Sequence, residues 1–174
     1  MPRDSTTVLR HGRVLLTLLL ACSARAAAQR TTQPARLTPA DFAWQLRALD
    51  GMPTTLDAFR GRVIVITAWA TWCEPCVAEL QSLHALHQSE RDSSIAFVLV
   101  SPERAETVRR FLTRRALSLP AYLEWSKAPA ILQFSAVPTT WIIDPAGTLV
   151  LRHRGARRWD TPDVRAFLDS LRRK

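Results

Sequence analysis

The sequence has few cysteines, no long apolar run and only a moderate share of charged residues, and each of these features excludes a class of protein. Three cysteines in 174 residues cannot staple a small disulfide-rich fold. A composition of 47% apolar and 22% charged residues excludes both a disordered charged tail and a bundle of membrane helices. No internal repeat or low-complexity block is present. The length is that of one globular domain with its own core.

The first 28 residues have the pattern of an export leader. A basic stretch precedes the eleven uncharged, leucine-rich residues Val14–Ala24, and a small-residue cleavage site at Ala26–Ala28 follows them. Eleven residues are too few to span a bilayer, which takes about 20. Removal of this segment lowers the net charge from +9 to +6. Export therefore predicts a protein that has no nucleic-acid partner.

Two processing routes fit this leader. Residues 1–28 form a signal peptide if cleavage follows Ala28, whereas Leu19–Cys22 resembles the lipobox of bacterial lipoproteins, in which an acylated Cys22 becomes the mature N-terminus. Both routes place the protein in the periplasm or cell envelope, and the second adds a lipid anchor at Cys22. Residues 29–39 are then expected to form a polar linker, and residues 40–174 the folded domain.

The folded part alternates between strand-like and helix-like segments. The β-branched run Val63–Trp69 is typical of a central strand buried on both faces, and Ile95–Val100 is typical of a second buried strand. Between them, apolar residues spaced three apart predict a helix from Val77 to Leu86, which completes a βαβ unit. The other predicted elements are an N-terminal hairpin that begins with Phe42, Trp44 and Leu46 at period two, a helix at Glu106–Arg115, a strand at Ala121–Leu123, a weak helix at Ala128–Phe134, a hairpin of Thr139–Ile143 and Leu149–Arg152, and a helix at Pro162–Arg172.

Two cysteines stand between the first buried strand and its helix. Cys73 and Cys76 are three residues apart at the predicted helix start, where their sulfurs come within bridging reach. The positive end of a helix stabilises a thiolate, which is the nucleophile in thiol–disulfide exchange. Cys73 is therefore expected to attack a substrate disulfide, and Cys76, one turn deeper, to resolve the mixed disulfide.

Two other interpretations of this pair are weaker. A purely structural disulfide across three residues closes too small a loop to stabilise the chain much. A zinc site would need His84 and His87 as further ligands, but Cys76 and His84 lie about 12 Å apart on a continuous helix. Four ligands cannot then meet on one ion, so both histidines are expected on the helix surface.

The motifs around the cysteines identify a family. The segment Trp69-Ala70-Thr71-Trp72-Cys73-Glu74-Pro75-Cys76, followed by Val137-Pro138-Thr139, resembles the TlpA/ResA-like extracytoplasmic thiol–disulfide oxidoreductases of the thioredoxin superfamily. The resemblance covers Asp41 to about Leu171. It implies an α/β, thioredoxin-like fold in which helices flank a central mixed β-sheet, with an extra N-terminal β-hairpin.

The resemblance also implies roles for residues around the pair. Pro138 would be a cis-proline packed beside the cysteines, and the backbone of Val137 would pair with an extended substrate segment. Trp72 is expected to pack beside the disulfide and shield it, and Trp69 to belong to the core. The predicted substrate-binding residues are Trp72, Glu74, Pro75 and Val137.

Proton handling departs from that of cytosolic thioredoxins. Those proteins keep a buried aspartate six residues before the first cysteine, where this chain has Thr67. Glu79, three residues after Cys76 on the same helical face, is expected to assist the buried thiol instead, and ResA-like proteins have a glutamate at this offset. Glu74 should disfavour a negative charge on Cys73, which predicts a reductant rather than an oxidant.

These features predict an enzyme, a protein-disulfide oxidoreductase that needs no cofactor and no metal. The resemblance implies that it reduces protein disulfides, for example the CxxCH haem-attachment motifs of apocytochromes c in cytochrome c biogenesis. It also implies a membrane thiol reductase of the CcdA/DsbD type as electron donor. A monomer is expected.

Three rival functions share the fold or the location. A thiol peroxidase would carry a Pro-x-x-x-Thr-x-x-Cys motif, which is absent before Cys73. A copper-delivery module resembling Sco would carry Cys-x-x-x-Cys and a distant histidine, so the spacing here is one residue short. A scaffold or adhesion protein would show no redox response.

Overall fold

One mixed sheet of seven strands organises the part of the chain that the computed structural model describes, residues 34–90 and 93–173. The strands are β1 Gln45–Ala48, β2 Pro53–Thr55, β3 Val63–Ala68, β4 Ile95–Ser101, β5 Ala121–Glu124, β6 Thr139–Ile143 and β7 Leu149–Arg154. The helices are α1 Pro39–Phe42, α2 Glu74–Ser89, α3 Ala105–Arg114 and α4 Pro162–Arg172, with 3₁₀ turns at Leu56–Phe59 and Ala130–Leu132. The predicted leader, with Cys22, lies outside the described residues, as do residues 29–33 of the predicted linker.

The strand order β2-β1-β5-β4-β3-β6-β7 places β3 inside the sheet. β3 pairs in parallel with β4 and antiparallel with β6, and all six of its residues are buried. The β3–α2–β4 unit is therefore the predicted βαβ unit. The middle position of the seven belongs to β4, so the first buried strand is interior without being the central one. The predicted fold class, a thioredoxin-like mixed sheet flanked by helices, is confirmed.

The sheet separates two apolar cores. Val63 and Val65 of β3 point to a core that also contains the buried faces of α2, α3 and α4. Ile64, Ile66 and Ala68 point the other way, to a core closed by the N-terminal segment and the two 3₁₀ turns. This division follows the period of two along a strand. Thr67 has the parity of the α2 side, which places a hydroxyl under the helix that carries the cysteines.

The N-terminal segment starts with a helical turn that the alternating pattern did not predict. Thr38 and Asp41 form a capping box, in which Thr38 N donates to Asp41 Oδ2 at 2.7 Å and Asp41 N to Thr38 Oγ1 at 3.3 Å. Pro39 occupies the first helical position, so Phe42 ends α1 and the strand starts only at Gln45. β1 then pairs antiparallel with β2 as a hairpin.

The last residues of the predicted linker already contact the folded domain. Leu37 N donates to Gly147 O at 2.8 Å, Leu149 N donates to Ala35 O at 2.8 Å, and Leu37 is buried. Gly147 adopts φ +85°, and a Cβ there would lie 3.3 Å from the Phe42 ring. The turn between β6 and β7 therefore requires glycine both for its backbone and for this close approach.

The remaining elements agree with the sequence in kind and differ by a few residues in length. α3 begins at Ala105, β5 ends at Glu124, and β7 extends to Arg154. The weak helix expected at Ala128–Phe134 shrinks to the 3₁₀ turn at Ala130–Leu132. Within residues 34–90 and 93–173, no helix combines the length and the apolar character that crossing a membrane requires.

Candidate redox site

The two cysteines form a disulfide at the start of α2. Cys73 is the N-cap of the helix, and its Sγ accepts a hydrogen bond from Cys76 N at 3.2 Å. The cap position places Cys73 at the positive end of the helix, where a thiolate is stabilised. Cys73 is 6% exposed and Cys76 1% exposed. Cys73 is therefore the more exposed residue of the pair, and the roles of the two cysteines stay a prediction.

A second segment of the chain lies against Cys73. The Val137–Pro138 peptide bond is cis, which confirms the predicted isomer. The carbonyl oxygen of Val137 lies 3.6 Å from Cys73 Sγ, although the two residues are 64 positions apart. On the far side, Pro138 O accepts a hydrogen bond from Gly155 N at 2.9 Å. The loop before β6 is thereby held between the disulfide and the end of β7.

The surface beside Cys73 is a shallow apolar groove of about 450 Å³. Trp72, Phe134 and Val137 are among the residues that line it. Trp72 is 72% exposed, so the prediction that it packs over the disulfide as a shield is wrong. Its indole instead forms part of an open wall, because the turn before α2 directs it outward. Trp69 is fully buried, as predicted for a core residue.

The predicted substrate-binding residues therefore lie around one sulfur. Glu74 and Pro75 are exposed in the first turn of α2, next to Cys73. Val137 and Trp72 line the adjacent groove. Two of the four predicted residues thus line the groove and two follow Cys73 on α2, and their roles toward a substrate stay a prediction.

Glu79 is the buried acid of the site. It lies one turn after Cys76 on the buried face of α2 and is 2% exposed. Its Oε2 accepts a hydrogen bond from Arg157 N at 3.0 Å, and its Oε1 lies 3.4 Å from the donor Thr140 Oγ1. Thr140 Oγ1 is in turn 2.9 Å from Thr67 Oγ1. The threonine that replaces the usual aspartate is thus linked to the glutamate through Thr140.

Burial raises the pKa of Glu79 above its ordinary value of 4.5. The backbone N–H of Arg157 opposes this most strongly, followed by Trp159, Thr140 and the positive charge of Arg157. The Trp159 indole N–H lowers the pKa although it does not reach the geometry of a full hydrogen bond. A carboxylate with a raised pKa holds a proton more readily, which suits exchange with a thiol.

Ser82 holds the loop that carries Arg157 against α2. Ser82 Oγ donates to Glu79 O at 2.8 Å and accepts from Trp159 N at 3.1 Å. Trp159 is 1% exposed and packs edge-on with His153. This anchor places the Arg157 N–H on the Glu79 carboxylate.

Most of these partners of Glu79 were missed from the sequence. A signal existed for Thr140, because a buried polar Thr67 in an apolar strand requires a hydrogen-bond partner. Thr140 is its direct cross-strand neighbour in the β3–β6 pairing. No sequence pattern indicated that the backbone N–H of Arg157 would bind the Glu79 carboxylate.

A second carboxylate, also missed, holds the loop before the cysteines. Glu103 follows β4, and its carboxylate accepts hydrogen bonds from Thr71 N at 2.6 Å and from Thr71 Oγ1 at 2.7 Å. Ser101 Oγ donates to the same carboxylate at 3.3 Å. The clamp connects the end of β4 to the turn that presents Trp72 and Cys73.

The two helix histidines lie away from the cysteines. α2 is continuous from Glu74 to Ser89, so the helix geometry that separates Cys76 from His84 holds. His84 Nε2 is 2.9 Å from Gln88 Nε2, and His87 packs edge-on against Phe97. Burial lowers the pKa of His87. In the described part of the chain, no three His, Cys, Asp or Glu side chains lie close enough to hold a metal ion.

Comparisons with known proteins agree with this geometry. Residues 38–152 match the model of the AhpC/TSA family. The thioredoxin-like protein YneN of Bacillus subtilis is 29% identical over 115 residues, which are 64% of this chain and 68% of YneN. The thiol-disulfide oxidoreductase ResA of Geobacillus thermodenitrificans is 26% identical over 99% of both chains. A secreted Mycobacterium tuberculosis disulfide oxidoreductase has a TM-score of 0.64 at 17% identity, over 77% of this chain and 100% of its own.

The aligned part spans 59% to 64% of the length of several other ResA proteins. The structural likeness, at 17% identity, shows a shared fold.

Proposed function

The chain belongs to the AhpC/TSA family, and we propose that it is a thiol–disulfide oxidoreductase that reduces protein disulfides in the bacterial cell envelope. The redox pair is Cys73 and Cys76. The relatives named thiol-disulfide oxidoreductase ResA support the reaction class.

One observation carries this proposal. A Cys-x-x-Cys disulfide caps α2 after a buried strand, and the carbonyl oxygen of Val137 lies 3.6 Å from its outer sulfur. The helix end stabilises a thiolate at Cys73, and the groove beside it leaves room for an extended peptide. A structural disulfide needs neither arrangement.

The reaction begins from the reduced pair. The Cys73 thiolate attacks one sulfur of a substrate disulfide, forms a mixed disulfide with it, and expels the other sulfur as a thiolate. Backbone groups at Val137 and the apolar groove hold the substrate segment during this step. The N–H of Cys76, which donates to Cys73 Sγ at 3.2 Å, stabilises negative charge on the attacking sulfur.

The second step regenerates the disulfide seen in the structure. Cys76 gives its proton to Glu79, and its thiolate attacks Cys73 Sγ. The Cys73–Cys76 bond forms, and the second substrate sulfur leaves as a thiolate. The substrate gains two electrons and the protein loses two. A membrane thiol reductase of the CcdA/DsbD type would return them, and apocytochrome c CxxCH motifs are the substrates we propose.

The proposal that the protein is exported rests on the leader pattern of residues 1–28. Intact mass of the protein from the envelope fraction tests it. The mass of a chain that begins at Gln29 indicates signal-peptide cleavage, and the mass of a chain that begins at an acylated Cys22 indicates a lipoprotein. A full-length mass from the cytosol would contradict export.

The reduction potential of the Cys73/Cys76 couple tests the direction of electron flow. We expect a value of about −270 mV or lower, near that of thioredoxin, whereas a value near −120 mV would indicate an oxidant. Tryptophan fluorescence, measured in dithiothreitol buffers, follows the change from the disulfide to the two thiols. A Cys73→Ser protein is the control, because it should show no transition, and an unmodified protein without one would overturn the enzyme proposal.

The family name also raises a thiol peroxidase. Ile66 and Ala70 stand where the peroxidatic motif has proline and threonine before the cysteine. We therefore expect slow peroxide consumption relative to reduction of insulin disulfides. The opposite ratio would favour the peroxidase.

A further inference from the structure

A surface groove of about 450 Å³ opens beside the buried Glu79. It lies between α2 and the loop that follows β7. Its walls include Ala78, Ser82, Ala156, Arg158 and Asp160. Glu79 also lines the groove, although only 2% of the residue is exposed. The carboxylate thus lies at the boundary between the core and a solvent-open space.

Cys76, which is 1% exposed, is not among the residues that line this groove. Its neighbour Cys73 carries the substrate during the mixed disulfide, on the face lined by Trp72 and Val137. In the described part of the chain, that face and the groove beside Glu79 share no lining residue. A proton from Cys76 must therefore leave by a route other than the occupied face.

We propose that this groove is the route by which the Cys76 proton reaches solvent through Glu79, and that it admits small carboxylate anions. The inference rests on the proposed function, because it supplies the exit for the resolving step. Cys76 gives a proton to the Glu79 carboxylate, the resulting thiolate closes the disulfide with Cys73, and Glu79 then gives the proton to water in the groove. No electrons pass through Glu79, and the substrate sulfur leaves as a thiolate.

The charges around the groove suit both parts of the proposal. Arg157 donates its N–H to Glu79 and holds its guanidinium 4.8 Å from the Trp159 ring and 3.8 Å from Asp163. Arg158 pairs with Asp160 at 2.7 Å. The other side chains that act on the Glu79 carboxylate are the Thr140 hydroxyl from β6 and the Trp159 indole, while Cys76 and Ser82 flank Glu79 on α2. The positive charge of Arg157 favours the ionised carboxylate and so returns the proton to water.

The test isolates the resolving step with a small aromatic disulfide, dithiobis(nitrobenzoate). Excess reagent loads Cys73 rapidly, and the later, concentration-independent release of the coloured thiolate reports attack by Cys76. We expect Glu79→Ala to slow this release by about 10²-fold, the lower range for a lost general base. Formate added to Glu79→Ala should restore the rate with saturation, because it enters the vacated space from the groove.

Three controls sharpen the result. Glu79→Gln fills the space of the original side chain. Its thiolate release should therefore be as slow as that of Glu79→Ala and should not respond to formate. Ala78→Trp, introduced alone, blocks the groove and should slow the second thiolate release several-fold. It should also abolish rescue in combination with Glu79→Ala. Ala85→Trp places the same side chain two turns further along α2, outside the groove, and should have no effect.

Each contrary result is decisive. An unchanged rate in Glu79→Gln, or a slow Glu79→Ala that formate does not rescue, would overturn the proposal. Equal rescue of both variants would show that formate acts from bulk solution and would overturn it too. Insulin reduction by the unmodified protein tests the proposed function separately. A protein that reduces insulin but fails the formate test retains its function and loses this route.

Discussion

The two sulfurs of one disulfide lie in different surroundings. Cys73 caps α2, accepts the N–H of Cys76, and faces the Val137 carbonyl beside an open groove. Cys76 is almost fully buried, one turn before Glu79 on the inner face of the helix. Their Cα atoms are only 5.2 Å apart. The contrast arises from the segments that cover each sulfur rather than from the distance between them.

This contrast shows why the two steps need different groups. A helix end offers hydrogen-bond donors to the residue at its cap, so it stabilises charge on Cys73 without any ionisable partner. A thiol under the first turn receives no such help, and burial disfavours its thiolate. Under the proposed mechanism, resolution needs a buried group that accepts the Cys76 proton, and this is the role proposed for Glu79.

The largest expected effect breaks the pair itself. Cys73→Ser should abolish reduction of insulin disulfides, because the attacking sulfur is lost. Cys76→Ser should also stop turnover but should accumulate a covalent adduct with the substrate, detectable by intact mass. An adduct on Cys76 in the Cys73→Ser protein would reverse the assigned roles.

The next effect concerns the hydroxyl pair behind Glu79. Thr140→Val leaves the buried Thr67 hydroxyl without its partner and should lower the free energy of unfolding by about 1–3 kcal/mol. The double variant Thr67→Val with Thr140→Val should cost less than the sum of the single variants, since no unpaired hydroxyl remains. Urea denaturation measures all three, and strict additivity would contradict the hydrogen bond.

Glu79 should also make stability depend on pH. Burial raises the pKa of Glu79, so the folded protein keeps this proton at pH values where the unfolded chain, near 4.5, has lost it. The free energy of unfolding should therefore fall as pH rises from about 4.5 through the folded pKa, and level off above it. Glu79→Gln should lack this fall.

The measurement is urea denaturation of both proteins across that pH range. Glu74→Gln, at the exposed start of the same helix, serves as the control substitution. Parallel pH profiles for the unmodified protein and Glu79→Gln would contradict the raised pKa.

The smallest expected effect lies at the loop clamp before Cys73. Thr71→Val removes one of the two Thr71 bonds to Glu103 and leaves the backbone bond, so it should cost about 0.5–1.5 kcal/mol. Glu103→Gln should cost more, because an amide offers only one acceptor oxygen to these donors. Urea unfolding checks the ranking, and equal costs would show that the Thr71 hydroxyl carries the whole clamp.

Much of the fold could be predicted because its signals are local. The run of β-branched residues in β3, the apolar spacing in α2 and the bounds of α4 all depend on neighbours in sequence. The prediction missed α1 because the alternation of Phe42, Trp44 and Leu46 matched a strand, while the Thr38–Asp41 capping box imposed a helical turn. The predicted packing of Trp72 was wrong because no sequence pattern indicates in which direction a turn points an exposed ring.

The sequence by itself determined the cysteine pair, its place at a helix start, the buried strand before it and the candidate glutamate. These depend on spacings of a few residues, which backbone geometry converts directly into proximity. Only the tertiary structure decided what surrounds Glu79: Thr140 and the Arg157 N–H reach it from 61 and 78 residues away, and a groove opens beside it. Such contacts arise when the sheet pairs and the helix packs, because burial and hydrogen bonding select partners in space regardless of their order in the chain.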